Sequence, residues 1–423
     1  MIFRKMNMFK LKNISYNNIC IKNISSIIDY IFFIVFFLFL YTGYVSTTMR
    51  TIKWSKDFHC HIQHLLWIIV GLRIILKILN GKLNFKTIFF ILSVLVAGIF
   101  CYNVNSGYDI VLDVIVLSIG CIDVDYKCLI KIYLITCILV TIHVIVQSKT
   151  GVVTDLVYYR DGHIRDSFGF IYPTDFAAHI FFILCAWVTI RQKKCSNIEL
   201  LSFVFIAILL QIFCQARCSV FSIILVACLV IIARKNHIII SLTNNKYTTH
   251  TKQILLSLVP ILFSVIMIIL GKTKTNNSFI IFLDKLLSTR VRLTRTAFQN
   301  YGIKPWGQYI YMQGNGGSTI VPDNYFFIDC SYVNILLRYG IAIFMFTILS
   351  IIILIIKNSN NYFIIGIIII ICLHSVIEHH LFEYYYNIFI ILPLANFNNS
   401  EMKQKNLKYR VKDSCFPLKY IIS

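Results

Sequence analysis

The chain has 423 residues, of which 58% are hydrophobic and 14% charged, and its formal net charge is +22 at pH 7. A soluble domain of this length does not bury so much apolar surface, so the composition indicates an integral membrane protein. It also excludes nucleic acid as the partner of the 40 basic residues, which we assign mainly to anchoring on the cytoplasmic side of a bilayer.

Apolar segments that approach the roughly 20 residues of a membrane-spanning helix recur along the whole chain. The weakest carries Asp109 and Asp113 one helical turn apart, which would also suit a proton or ion path. We predict an all-α polytopic membrane protein with about twelve transmembrane helices in one integral membrane domain, residues 1–423. The predicted spans are 30–49, 62–80, 86–103, 107–122, 128–147, 174–190, 197–214, 218–234, 253–271, 331–356, 362–378 and 383–397.

Basic residues in the flanks of these spans set the orientation. They predict that both termini lie in the cytoplasm, and only the first outer loop, with Arg50, Lys53 and Lys56, opposes that assignment. The abundance of Ile, Asn and Lys is typical of an AT-rich bacterial genome, so the expected location is the bacterial plasma membrane. A smaller loop, 149–174, and a large loop, 272–330, then lie on the outer face. The inside-positive bias therefore does not explain the arginines of these two loops.

The large loop contains a predicted amphipathic helix near 284–300. Arg290 falls in the middle of its apolar stripe, so its permanent charge needs an anionic partner. That partner is either a structural carboxylate or a bound anion. Arg295 points to the other side of the helix, and Asp323 and Tyr325 follow later in the loop.

The smaller loop carries Arg160 and Arg165 and leads into a helix that we expect to begin near Pro173, with Thr174 or Asp175 as its N-cap. Either the loop is simply solvated, or Arg165 and, with less weight, Arg160 bind a phosphate at the membrane surface. Arg217 lies in a short outer turn, where it either extends to the interface or binds the ligand.

Two groups of histidines are candidates for chemistry. His374 and Glu378 lie four residues apart, a spacing that places them on one helix face for acid–base work or for an ion pair with an outer arginine. The segment HCHIQH at 59–64 has the residue types of a zinc site, but no other cluster completes it. No CxxC pair occurs among the 14 cysteines. We therefore expect neither a metal nor a cofactor.

Four segments in the second half of the chain stand out together: RDSFGFIYPTDFA (165–177), LSTRVRLTRTAFQNYGIKPWGQ (287–308), DNYFFIDCSYVNILLRYG (323–340) and SVIEHHLFEYYYN (375–387). They resemble motifs of bacterial polysaccharide polymerases of the Wzy type, in the O-antigen polymerase/ligase superfamily, and occur in the order found in that family. The first half of the chain matches only in the number and length of its spans.

The resemblance implies a glycosyltransferase that needs no metal. It would join oligosaccharide repeat units linked to undecaprenyl pyrophosphate at the outer leaflet, in the synthesis of capsule, exopolysaccharide or O-antigen, beside flippase and chain-length regulator proteins. Arginine suits the departing pyrophosphate because it binds phosphate in a bidentate way and keeps its charge. We assign pyrophosphate binding to five arginines, catalysis to two residues and the substrate mouth to two more: Arg290, Arg165, Arg217, Arg160 and Arg295; Glu378 and His374; Asp323 and Tyr325.

Three other functions remain open from the sequence. A ligase that transfers finished glycan to another acceptor would use the same residues. A lipid-linked oligosaccharide flippase would have near-equal halves and no large outer loop, unlike this chain. A membrane acyltransferase built on His374 would have its active site open to the cytoplasmic side, which the predicted orientation disfavours.

Overall fold

The computed structural model describes residues 2–50, 53–105, 110–160, 162–241, 246–273, 278–315, 317–320 and 322–397. Within these ranges the chain is mostly helical, with one short hairpin. The predicted Asp109 and the basic tail after Asn398 lie outside the described residues. The helices are α1 (Ile2–Val45), α2 (Lys53–Leu79), α3 (Phe85–Val104), α4 (Ile110–Gly120), α5 (Tyr126–Lys149), α6 (Pro173–Arg191), α7 (Asn197–Phe213), α8 (Arg217–Ser241), α9 (Lys246–Lys272), α10 (Ser278–Leu286), α11 (Arg290–Asn300), α12 (Ser331–Asn334), α13 (Gly340–Lys357) and α14 (Tyr362–His374).

Eight stretches of these helices are long and apolar enough to cross a membrane, so the class of membrane protein is supported but the predicted number of about twelve spans is wrong. Three of the remaining predicted spans are shorter apolar helices, and a helix of 13 residues such as α14 rises only about 20 Å. The eight stretches within the described residues are Ile24–Val45, Asp57–Leu79, Phe85–Val104, Tyr126–Lys149, Pro173–Lys194, Arg217–Arg234, Thr251–Lys272 and Ser331–Lys357.

The predicted span 383–397 is not a continuous helix. It contains only the short 3₁₀ helix Ile388–Ile391, and most of its residues are buried. Asn387 replaces part of the missing helical bonding, because its side chain donates to the carbonyl oxygen of Leu381 at 2.7 Å and accepts from the amide of Phe389 at 3.2 Å. An irregular backbone at this depth is tolerated when it is buried in protein and its polar groups are paired.

Hydrogen bonds define two ends of the helix bundle. At the end that we call the loop end, the amide of Met49 donates to the carbonyl of Gly169, and the side-chain amide of Asn315 reaches the hydroxyl of Tyr172. Residues of both large loops therefore meet there. At the opposite end, the amide of Asn396 donates to the carbonyl of Val124 at 2.8 Å. Between the two ends, α6 is the most buried of the eight apolar helices and packs against α5, α8 and α14.

The smaller loop folds as an antiparallel hairpin of β1 (Val157–Arg160) and β2 (His163–Asp166), so the protein is not entirely α-helical. Tyr158 lies directly opposite Arg165. Alternation along β2 exposes Ile164 and buries Arg165 on the other face. The hairpin thus directs the Arg165 side chain into the protein. The alternative of a simply solvated loop does not account for this burial.

The predicted helix at 284–300 is two helices, α10 and α11, which is a second correction. Ser288 and Thr289 between them adopt positive φ angles of 52° and 68°. The Asp284 side chain accepts a hydrogen bond from the amide of Arg292 at 2.9 Å, which stabilises the first turn of α11. Arg290 is consequently the first residue of α11 and not the centre of an apolar stripe.

Two glycines allow the middle of the large loop to contact the start of α13. Gly307 and Gly340 have φ angles of 81° and 86°, and a Cβ on either would overlap the backbone of the other segment. The amide of Gln308 donates to the carbonyl of Arg338 at 3.0 Å, and the amide of Ile341 donates to that of Lys304 at 3.1 Å. This backbone contact fixes the segment that follows α11 against the start of α13.

Candidate functional site

Charged and histidine side chains from four separate parts of the chain converge at the loop end. The large loop counts as one part and contributes the start of α11 and the segment before α12. The other three are β2, the first turn of α6 and the turn after α14. We call this group the loop-end cluster. Its members are Arg165, Asp175, Arg290, Asp329, Glu378, His379, His380 and Glu383.

Arg290 is held at the start of α11 by two contacts. Its Nη1 lies 2.8 Å from Oδ2 of Asp329, and its Nε donates to the carbonyl oxygen of Ile377 at 3.2 Å. Burial lowers the pKa of Arg290, but the carboxylates of Asp329 and Glu378 more than offset that effect, and the net change is upward. The structural-carboxylate alternative for Arg290 is therefore realised, and the guanidinium also lies beside Glu378.

Glu378 is a buried carboxyl group whose ionisation falls near neutral pH. Only 4% of the residue is exposed. The net effect of its surroundings raises the pKa to about 7: burial is the largest cause and raises it, Arg290 lowers it, Asp329 raises it and Arg165 lowers it. A carboxyl group with such a pKa can accept or donate a proton at physiological pH.

Arg165 is among the largest fully buried side chains of the protein. Its Nε donates to the carbonyl oxygen of Cys214 at 2.8 Å, and its guanidinium lies over the ring of Tyr172, 5.5 Å from the centroid. Burial is the largest effect on its pKa and lowers it. Its Nη2 is buried without a hydrogen-bond partner among the described residues, so this guanidinium retains donor capacity for an anion.

The other predicted arginines do not all join the cluster. Arg160 is exposed on β1 but acts electrostatically on Glu378. Arg217 is exposed in the first turn of α8. Arg295 lines a separate cavity beside α9, together with Lys272. The set of five therefore divides, and Arg165, Arg290 and Arg160 are the three whose charges reach Glu378.

The predicted mouth residues also divide. Tyr325 is 40% exposed and interacts with Asp329, Arg290 and Glu378, and burial of its hydroxyl raises the pKa. It therefore lies at the solvent edge of the cluster. Asp323 is exposed on the preceding turn, where the amide of Tyr325 donates to the carbonyl of Pro322 at 3.1 Å.

The predicted pairing of His374 with Glu378 is wrong. Both lie near the end of α14, and the amide of Glu378 donates to the carbonyl of His374 at 3.0 Å, but the imidazole turns elsewhere. Its Nε2 lies 3.3 Å from the hydroxyl of Ser219, and its ring stacks on Phe181 with 4.5 Å between centroids. The helix ends after His374, so the assumption of one continuous helical face fails.

Two aspartates in the cluster have roles that the sequence does not reveal. Asp329 is the partner of Arg290, whereas the aspartate predicted from the sequence as a site residue is Asp323. The loop is irregular and has no periodicity that would distinguish the two aspartates. Asp175 does not cap α6: the helix begins at Pro173 with Tyr172 as its N-cap, and Asp175 lies inside the first turn. Its Oδ1 is 3.9 Å from Nε2 of His380.

His379 and His380 lie beside Glu378, each with a ring nitrogen within 4.8 Å of a carboxylate oxygen of that residue. Burial lowers the pKa of both to about 3, so both are neutral at physiological pH. Nδ1 of His380 lies 3.0 Å from Oε2 of Glu383, and Nε2 of His379 lies 3.6 Å from Oε1 of the same carboxylate. The signal in the sequence is that the four-residue spacing of His374 and Glu378 recurs five residues later in His379 and Glu383.

Glu378, His379 and His380 also have the geometry of a potential metal centre. One ligand atom from each lies within 4.8 Å of the others, and no second such group occurs among the described residues. The HCHIQH segment does not assemble one there. His59 instead hydrogen-bonds the hydroxyl of Thr42 at 2.7 Å, and Sγ of Cys60 lies 3.8 Å from Nδ1 of His64.

Asp113 takes part in helix packing rather than in the cluster. It is 3% exposed inside α4 and accepts hydrogen bonds from the side chains of Gln63 at 2.9 Å and Trp67 at 3.2 Å. These two donors come from α2, so the carboxylate joins two helices.

Comparison of the chain with protein-family models, with curated proteins and with solved structures gave no match. The functional conclusion therefore depends on the loop-end cluster itself.

Proposed function

We propose that the protein is a membrane glycosyltransferase that joins oligosaccharide repeat units carried on undecaprenyl pyrophosphate into a polysaccharide. One observation carries the proposal: guanidinium groups from two different loops act on one buried carboxyl group, Glu378, whose pKa is about 7. Cations able to hold a diphosphate are thereby combined with a group able to take a proton.

In the proposed reaction, a hydroxyl of the acceptor repeat unit attacks the anomeric carbon of the donor chain. A carbon–oxygen bond forms, the bond from the anomeric carbon to the diphosphate oxygen breaks, and its electron pair leaves with the lipid diphosphate. Glu378 takes the hydroxyl proton. Because diphosphate is already a good leaving group, the protein has mainly to neutralise its charge and align the attack.

Arg290 and Arg165 are the proposed diphosphate ligands. Arg290 is held by Asp329, and Arg165 has a buried Nη2 without a hydrogen-bond partner among the described residues. Burial supports the role because a guanidinium–phosphate interaction is stronger away from water. His374 faces Ser219, so we assign the base to Glu378 without it.

The proposal includes an orientation: the loop end faces the outside of the bacterial plasma membrane and both termini face the cytoplasm. A reporter inserted after Asp323, an exposed residue of the large loop, tests this. We expect the reporter to be extracytoplasmic, and a cytosolic reporter would refute the proposed reaction at the outer leaflet.

The decisive experiment is reconstitution of the purified protein with a repeat unit linked to undecaprenyl pyrophosphate. We expect a ladder of products that differ by one repeat unit. Transfer of a single glycan to a different acceptor would favour the ligase instead. Movement of the lipid across the bilayer without any glycosidic bond formation would favour the flippase.

A further inference from the structure

A second basic site lies away from the loop-end cluster. Arg290 and Arg295 are five residues apart on α11, so their side chains leave the helix about 140° from each other. Arg290 faces Asp329, whereas Arg295 lines a cavity of about 380 Å³ at the end of α9. The cavity is lined by Gly271, Lys272, Arg295, Phe298, Gln299, Tyr301, Gly302 and Ile303.

The charge of this cavity is of one sign. Its lining among the described residues contains the two cations Lys272 and Arg295 and no acidic side chain. The Gln299 amide and the Tyr301 hydroxyl add neutral hydrogen-bond donors. A volume of 380 Å³ falls in the range of small-molecule sites and exceeds what one phosphate group requires.

Beside the cavity, α9 and α11 approach each other closely at Gly271. A Cβ at this position would overlap Thr294 and Phe298, so the glycine allows the contact. Nζ of Lys272 lies 5.5 Å from the centroid of the Phe298 ring, which orients its charge beside the cavity.

An exposed apolar stripe on α9 leads to the same cavity. Its members recur every three or four residues, which places them on the helix face that ends at Lys272. Each is between 41% and 58% exposed, and they belong to a broad exposed apolar surface of α9: Leu258, Leu262, Ile266 and Ile269.

We propose that this cavity binds the diphosphate of the second lipid-linked repeat unit, the acceptor, with its polyisoprenyl chain lying along the α9 stripe. The inference depends on the proposed function, because joining two lipid-linked units requires the acceptor to remain on its carrier while the donor loses its own. The loop-end cluster then holds the departing diphosphate, and the cavity holds the one that is retained.

Binding stoichiometry tests the proposal without any requirement for catalysis. Native mass spectrometry of the purified protein with undecaprenyl pyrophosphate should detect two bound lipids on the wild type. The double variant Lys272→Gln/Arg295→Gln should bind one, and so should Arg165→Gln/Arg290→Gln. The variant Arg295→Lys keeps the charge and should retain both lipids.

Lys285→Gln, which removes an exposed cation from α10, is the matched control and should leave both lipids bound. One bound lipid on the wild type, or two on Lys272→Gln/Arg295→Gln, would overturn the inference. Displacement of the cavity lipid by equimolar phosphatidylglycerol would also overturn it, in favour of a phospholipid site. Two bound lipids with no product ladder would keep the cavity as a site for a lipid diphosphate but refute the proposed function.

Discussion

The guanidinium of Arg290 lies 2.8 Å from the carboxylate of Asp329, and both groups are largely buried. The two residues belong to different ends of the large loop, so their ion pair closes that loop over the turn that carries Glu378. An arginine fixed in this way is positioned before any ligand arrives. Preorganised charge of this kind is what stabilises a leaving diphosphate most efficiently.

Replacement of Arg290 or Arg165 by glutamine should remove most polymer formation. Loss of one preorganised cation costs on the order of 100-fold in turnover. The measurement is the initial rate of ladder formation with a fixed lipid-linked substrate. Arg292→Gln is the control, because Arg292 is exposed on the same helix and should retain activity.

A second comparison separates a structural role of Arg290 from a role in binding diphosphate. Asp329→Asn removes the charge of its partner and leaves the guanidinium. If Arg290 acts on the diphosphate, Asp329→Asn should keep more activity than Arg290→Gln at equal amounts of folded protein. Equal losses in both variants, accompanied by equal loss of thermal stability, would reduce Arg290 to a structural ion pair.

The pH dependence of turnover should report the ionisation of Glu378. Burial raises the pKa of Glu378 to about 7, and a general base acts only in its deprotonated form. Below this pH the carboxylate fraction falls, to about one tenth at pH 6, and kcat/KM should fall with it. Above pH 8 this dependence should level off.

The variant Glu378→Gln checks that assignment. It should lose turnover by about 100-fold or more, and its residual rate should not show the acidic limb centred near pH 7. A wild-type rate that stays constant from pH 5 to pH 8 would remove Glu378 as the base. Glu383→Gln is the comparison within the same turn, because Glu383 contacts the histidines His379 and His380.

The sequence identifies the chemical types at the site better than their partners. Arg165, Arg290 and Glu378 are predicted as site residues, and the charges of both arginines act on Glu378 in the structure. The partner of Arg290 was not identified, because Asp323 and Asp329 both lie in a loop without periodicity. The helix break at Ser288 and Thr289 is not predicted either, since neither residue is a glycine, which would mark a positive φ, or a proline, which would end a helix.

The last apolar segment shows why hydropathy overestimates the number of helices. Residues 383–397 are apolar enough to be predicted as a span, yet 15 residues in a helix rise only about 22 Å, less than the roughly 30 Å core of a bilayer. Partly extended backbone covers more distance per residue. Such backbone needs other partners for its polar groups, and the Asn387 side chain supplies two of them.

Alanine at Gly307 or Gly340 should destabilise the protein. Both residues have positive φ angles, and an added Cβ meets backbone atoms that cannot move aside. We expect a loss of about 3 kcal/mol or more in the free energy of unfolding. Thermal unfolding in detergent measures it, with Gly302→Ala as the control, because nothing lies within 4 Å of a Cβ there. Equal stability of the three variants would contradict the backbone contact.

Removal of divalent cations should leave polymer formation unchanged. In the proposed reaction, the guanidinium groups of Arg165 and Arg290 neutralise the diphosphate, and Glu378 must be free to take a proton. His379 and His380 both contact Glu383, which accounts for one nitrogen of each ring. The measurement compares initial rates with excess chelator and with millimolar Mg²⁺ or Mn²⁺.

A different result would make Glu378, His379 and His380 a metal centre. In that case the chelator inactivates the protein, Mn²⁺ reverses the inactivation, and the variant His380→Gln no longer shows that reversal. The base would then have to be another residue, and the acidic limb near pH 7 would lose its assignment to Glu378.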